Sequence, residues 1–135
     1  MKMVYKLLCL VSLGLLLSGC QKEETKVEKI AEVEFTIIEN EDIPEELMTM
    51  IEEKKNHMFK ITYGNDDGFY MVIGYGEQKS SGYSIQVKEC YESKNAVVFD
   101  TELLGPMQDE VVEQVKTYPY IVVRIKNLNL PVVFE

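Results

Sequence analysis

One imidazole, His57, and three thiols, Cys9, Cys20 and Cys90, are the scarcest reactive groups in this chain. Histidine can share a zinc ion with other histidines or thiolates. His57 has no second histidine and only Cys20 and Cys90 beyond the apolar N-terminal run, so a cation at a helix end is the plainer reading. Ser80 or Ser81 could supply a nucleophile with His57 as its base, but neither G-x-S-x-G nor another nucleophile motif surrounds them, and their neighbours have turn composition. Asn65-Asp66-Asp67-Gly68 offers the carboxylates and glycine turn that calcium loops use, yet the pattern D-x-[DN]-x-[DN]-G-x5-E is absent. Residues 74–82, GYGEQKSSG, have the glycines of a phosphate cradle, but no Walker lysine-serine pair or following helix completes it. Those glycines suit positive φ or a bulge between strands instead. The expectation is no catalytic residue, no metal and no cofactor, which leaves Cys20 as the cysteine whose surroundings are informative.

Residues 1–6 carry Lys2 and Lys6 and no acid, as the positive start of a signal peptide does. Residues 7–17, LLCLVSLGLLL, are uncharged. This run suits a signal-peptide apolar region and falls well short of the ~20 residues a spanning helix needs. Leu17-Ser18-Gly19-Cys20 follows directly and resembles the lipobox of bacterial lipoproteins, in which an aliphatic residue and two small residues precede the cysteine that receives a diacylglyceryl group. The resemblance implies cleavage before Cys20 and an extracytoplasmic protein anchored to the cell membrane by lipid on that cysteine. At about 0.8 kcal/mol per buried methylene, one acyl chain binds marginally and two or more hold stably.

The chain has 14 basic and 23 acidic residues; removal of Lys2 and Lys6 leaves 12 against 23, a formal charge of −11. Nucleic acid is thereby excluded as a partner, since no basic cluster exceeds the pair Lys54-Lys55. An anionic membrane would repel such a chain, so the lipid alone must make the membrane contact. With Cys20 modified, Cys90 is the one thiol left and no intramolecular disulfide can form. Packing of one domain of about 100 residues must therefore supply the usual ~5–15 kcal/mol. Only Lys88 and Lys94 lie near Cys90 in sequence to lower its pKa, so it reads as a core filler.

Residues 20–32, the lipidated cysteine followed by QKEETKVEKIAE, mix both charge signs and read as a solvated tether. A single β-rich domain is expected over residues 33–135. Residues 33–39 (VEFTIIE) have strand composition, with Val33, Phe35 and Ile37 on one face. A helix follows: Asp42 can cap it, Pro44 suits its first turn, Glu45 and Glu46 complement its positive end, and Lys54 and Lys55 its negative end. Leu47, Met48 and Ile51 give it an apolar stripe. From His57 the period changes to two, Phe59, Ile61 and Tyr63 alternating with Lys60 and Thr62, with turn chemistry at residues 65–68 and a second strand to Tyr75, so a hairpin is predicted. Tyr83, Ile85 and Val87 open another, turning at Ser93-Lys94-Asn95 and returning through residues 96–104. Gly105-Pro106 breaks the sheet, and Met107, Val111, Val112 and Val115 have the spacing of a short helix. Two last strands, residues 121–125 and 131–134, close the pattern, Pro131 marking an edge. The predicted fold class is mainly β (α+β): an antiparallel β-sandwich or partly open barrel of about seven strands with one packed helix.

Three loop signatures recur at strand ends. The first is Gly76-Glu77-Gln78-Lys79-Ser80-Ser81-Gly82-Tyr83, the second Gly105-Pro106, and the third Thr117-Tyr118-Pro119-Tyr120 before Ile121-Val122-Val123. Together they resemble the C-terminal domain of the protease complex subunit PrcB family, with G-x-x-P-T-G-G-Y, a P-G-P-G-like turn and T-Y-P-Y, over residues 69–134. Here Ser80 and Ser81 stand where that family has Thr and the first Gly, and the loop proline is missing. The resemblance implies a small secreted or lipid-anchored domain that associates with a secreted protease. The layout is more faintly similar to chagasin-type cysteine-protease inhibitors, through Gly82-Tyr83, Gly105 and Pro119.

For any one of these residues, a core tyrosine, a turn glycine or a strand-entry proline is the plainer role. Convergence at one end of the domain would give them a joint one, because loops from one end of a sandwich can form a binding surface. The leading expectation is a non-enzymatic, membrane-anchored interaction module whose partner is an extracytoplasmic protein, a protease being the implied candidate. The candidate partner-binding residues are Lys79, Ser80, Ser81, Gly82, Tyr83, Gly105, Pro106, Thr117, Tyr118, Pro119 and Tyr120. Direct protease inhibition is the alternative, and a hydrolase using Ser80 or Ser81 with His57 the remote one.

Overall fold

The run FYMVIG at residues 69–74 has no polar break, unlike the alternating strands around it. A strand reads this way when both of its faces are covered. In the computed structural model, which describes residues 28–135, that is its situation: Tyr70 and Val72 pack beneath a helix, while Met71 and Ile73 face a second sheet. The expected signal peptide, the expected lipid acceptor Cys20 and the expected tether as far as residue 27 lie outside the described residues.

Eight strands and one α-helix make three layers. The strands are β1 (Lys29–Glu32), β2 (Thr36–Ile37), β3 (Met58–Asn65), β4 (Gly68–Tyr75), β5 (Ser84–Ser93), β6 (Val97–Leu104), β7 (Tyr120–Ile125) and β8 (Val132–Phe134), and the helix is α1 (Glu45–Lys54). One sheet has the order β1-β5-β6-β8, the other β2-β7-β4-β3. Met71, Ile73, Cys90, Val97, Phe99, Val123 and Ile125 fill the space between them. On the outer face of the second sheet, Leu47 and Ile51 of α1 are wholly buried against Phe59, Ile61, Tyr70, Val72 and Val122. The fold is thus the expected mainly β sandwich with one packed helix; each sheet keeps two free edges, so it is not a barrel.

Both predicted hairpins form. Asp66 and Asp67 alone connect β3 to β4, and the Asn65 Oδ1 accepts the Asp67 N–H at 2.8 Å, a local bond that pins the turn. In the β5–β6 turn, the Ser93 Oγ donates to the Ala96 carbonyl and accepts from the Ala96 N–H, both at 3.1 Å.

Five local expectations are corrected. Residues 33–39 do not form one strand. Val33 donates to Cys90 O in the first sheet, whereas Thr36 pairs with Arg124 in the second, so residues 33–35 are a crossover that cannot belong to both ladders. Lys29–Glu32, read as tether, pairs with β5, which raises the strand count to eight. Asp42 does not cap α1; it sits in a 3-10 turn with its N–H on Glu39 O, and Pro44 takes the N-cap position with no side-chain cap. Residues 107–115 are an irregular loop, because the β-branched valines find no core to face and the intervening acids gain nothing by coiling. Finally, the last strand does not continue the antiparallel pattern: β8 joins the first sheet and runs parallel to β6, with the Val97 N–H on Pro131 O. Pro131 does mark an edge, as expected.

Cys90 is buried, and burial pushes its thiol up to about 11, with Glu32 adding repulsion. The folded value lies above the ordinary 9.0, so its contribution to stability is full below about pH 9 and is lost as pH rises through about 11. Iodoacetamide at pH 8 is expected to leave Cys90 unmodified in the native protein and to modify it fully in 8 M urea (about the usual denaturing range), as read by peptide mapping. Rapid native alkylation would overturn this placement.

Candidate functional site

The two sheets bring four strand ends to one pole. β4 leaves it at Tyr75, β5 enters beside Leu104 of β6, and β7 enters at Tyr120 opposite Gly74. Two connections, residues 76–83 and 105–119, therefore span this pole; the first loop signature occupies one of them, and the second and third lie at the two ends of the other.

They are joined chiefly through backbone. Gln78 and Thr117 exchange N–H···O bonds of 2.8 and 3.0 Å, and the Thr117 hydroxyl donates to Ser80 O at 2.8 Å. Ser81 donates its N–H to Glu113 O at 3.0 Å and accepts the Glu113 N–H on its Oγ at 2.8 Å. Gly82 has φ of +95°, and a Cβ there would lie 2.9 Å from both Pro106 Cβ and Val112 Cγ1. Gly105 packs against the Tyr83 ring, 3.4 Å from where its own Cβ would be. Gly82→Ala combines a left-handed φ with a wedge between two loops, so it is expected to destabilise by about 1–3 kcal/mol, read as a lower urea midpoint at constant m. An unchanged midpoint would contradict the close approach.

The predicted residues thus converge, but with unequal freedom. Ser80 is buried and its Oγ donates to Ser81 O at 2.9 Å, so both serine hydroxyls serve the loop and neither bonds to His57. His57 lies exposed at the start of β3, its N–H on Lys54 O at the end of α1. The Tyr118 hydroxyl reaches Glu77 Oε1 at 3.4 Å, and Lys55 lies 5.5 Å from its ring. Tyr120 turns toward the helix layer, donating to Asn40 Oδ1 at 3.0 Å and packing near Met48; burial raises its pKa, with Glu52 adding to the effect. Pro119 supplies the carbonyl that accepts the Tyr75 N–H. Lys79 and Gly105 are exposed, Tyr83 and Pro106 partly so. Among the described residues, no three His, Cys, Asp or Glu side chains converge as a metal-binding group.

The loop pole also carries residues that the sequence reading had assigned to a helical stripe. Met107, Val111 and Val115 are 76%, 96% and 50% exposed, on the loop whose Glu113 and Val112 touch Ser81 and Gly82. Their i, i+4, i+8 spacing was visible, but nothing local to the sequence says that no core meets it.

These features define a two-sheet β-sandwich with a helix on one outer face and a loop-built pole that is part buried and part apolar surface. Residues 69–126, just under half of the chain, match the family model described as PrcB C-terminal. No curated protein and no solved structure matches the chain. The matched stretch takes in all three loops together with β5, β6, β7 and nearly all of β4, which are the inner strands of the two sheets. The four edge strands β1, β2, β3 and β8 lie wholly outside it, as does α1. The family likeness therefore resides in the centre of the sandwich and its loop pole.

Proposed function

We propose that this protein is a non-enzymatic interaction module, held at the outer face of a cell membrane by lipid on Cys20, whose loop pole docks on an extracytoplasmic protease or protease complex. The observation that carries this reading is the exposure of three apolar side chains, Met107, Val111 and Val115, on the loop that touches Ser81 and Gly82. Large apolar side chains left exposed along one loop are candidates for a protein contact surface. The likeness of residues 69–126 to the PrcB C-terminal family supports the choice of a protease as partner.

A photo-crosslinking residue at Val111, compared with one at Lys94 on the opposite pole, tests the reading in the native cell envelope. Val111 is expected to yield one adduct containing a protease or a protease subunit, and Lys94 none. Equal adducts from both positions, or none, would count against it. Cys20→Ser is expected to abolish palmitate incorporation and release the protein from the membrane fraction; continued labelling would refute the anchor.

The convergence of three loops at one pole also suits the chagasin-like alternative. That reading requires stoichiometric inhibition of a papain-like protease, weakened by Tyr83→Ala. The hydroxyls of Ser80 and Ser81, already engaged within the loops, count against a hydrolase; turnover that disappears in His57→Ala would reinstate it.

A further inference from the structure

At the pole remote from the three loops, the crossover from β1 to β2 borders a cleft of about 710 Å³. That size falls in the ~300–1,000 Å³ range of pockets that hold small ligands. It is lined by Arg124, the only arginine of the chain, and by Lys126. Among the described residues no carboxylate pairs with Arg124, although Glu32, Glu34, Asp67 and Glu92 line the same space. In a chain of net charge −9, an arginine left unpaired among acids has a fork of donors available.

Its stem is positioned. Gly68, at φ +147°, lets the arginine pass: a Cβ there would stand 3.1 Å from Arg124 Cγ and 3.2 Å from Cδ. Across the cleft, Val33, Phe35 and Leu128 supply apolar wall, with Phe35 37% exposed.

We propose that this cleft binds a zwitterion with an apolar side chain, an apolar amino acid or short peptide with free ends. The ligand carboxylate lies on the Arg124 fork, whose planar donors match a carboxylate in two parallel bonds. Lys126 adds attraction, the ligand ammonium sits among the four carboxylates, and the side chain covers Phe35 and Leu128. A plain anion would meet a lining with more acids than bases. A plain cation would leave the free guanidinium unused. A dipolar ligand satisfies both signs, and its apolar part removes Phe35 from water. This site is separate from the loop pole, and nothing proposed there bears on it.

The test is calorimetric titration of the full chain in detergent with leucine and trileucine, against N-acetyl-trileucine and trileucine amide. Saturable binding of a free-ended ligand, weakened tenfold or more by either block, is expected. Arg124→Lys is expected to weaken it about tenfold and Arg124→Gln to abolish it, while Lys126→Gln and Phe35→Ser each weaken it in a protein that keeps its native melting transition. The blocked ligands test the unaltered chain, so the outcome does not depend on how the variants fold. No heat with any ligand at millimolar concentration, equal binding of the blocked forms, or binding that survives in folded Arg124→Gln would each overturn the assignment.

Discussion

Phe99→Ala is expected to lower the free energy of unfolding by about 3–5 kcal/mol, a large part of the ~5–15 kcal/mol that holds a domain of this size. Phe99 is fully buried in the core between the sheets. It stands opposite Cys90 on β5 and beside Phe134 on β8, and its ring meets that of Phe134 nearly edge-on at 6.0 Å and 73°. Truncation removes apolar contact and leaves a cavity that two hydrogen-bonded sheets cannot collapse to fill. Phe134 also loses an aromatic partner worth about 0.5–1.5 kcal/mol beyond its buried area. Only three residues of β8 pair with β6, so amide exchange in β8 should accelerate before that in the β3–β4 hairpin. An unchanged urea midpoint would remove Phe99 from the centre of the fold.

Leu47→Ala is expected to cost about 2–5 kcal/mol and to loosen α1 as a whole. The helix has ten residues, below the ~12–15 at which isolated helices become even marginally stable, so docking rather than propensity holds it. Leu47 and Ile51 form its buried contact, supplemented by the Tyr63 hydroxyl on Glu46 Oε1 at 2.8 Å. Loss of Leu47 would uncover Tyr70, Val72 and Val122. It would also disturb the loop pole, because Asn56 O accepts the Glu77 N–H and Lys55 lies beside Tyr118. The check is thermal melting together with exchange of the Glu77 amide: a melting point lowered by roughly 4–8 °C per kcal/mol for a domain near this size, and faster exchange. A fully protected Glu77 amide in the variant would show that the helix does not brace this end.

Local chemistry carried much of the fold. The period-two strands, Asn65-Asp66-Asp67-Gly68 and Ser93-Lys94-Asn95 are short-range signals, and the two hairpins they predict are present. The C-terminal end of α1 was legible from Lys54, whereas its start was read too early, because Asp42 has cap chemistry but lies in the preceding 3-10 turn. What could not be read was membership of a sheet. Residues 33–35 have strand composition, but whether they continue a ladder or cross between two depends on Cys90 and Arg124, far along the chain. The parallel docking of β8 has the same origin, since its partner in β6 lies more than thirty residues earlier. The loops were noticed through a family likeness rather than through their physics. Ser80, Ser81 and Thr117 prove to hold that pole together, whereas Met107 and Val111 supply its exposed apolar surface. Arg124 drew no notice because a lone cation in an alternating strand looks solvent-facing.

The register of β1 sets a compass for the molecule. Lys29 pairs with Ser93, beside the β5–β6 turn, so the chain enters the sandwich at the pole opposite the loops. An attachment at Cys20 would then act on the pole opposite the loops, leaving the loop pole free to meet whatever diffuses past the cell. The cleft around Arg124 would open on the side nearer the lipid headgroups, where its occupants come from a different neighbourhood.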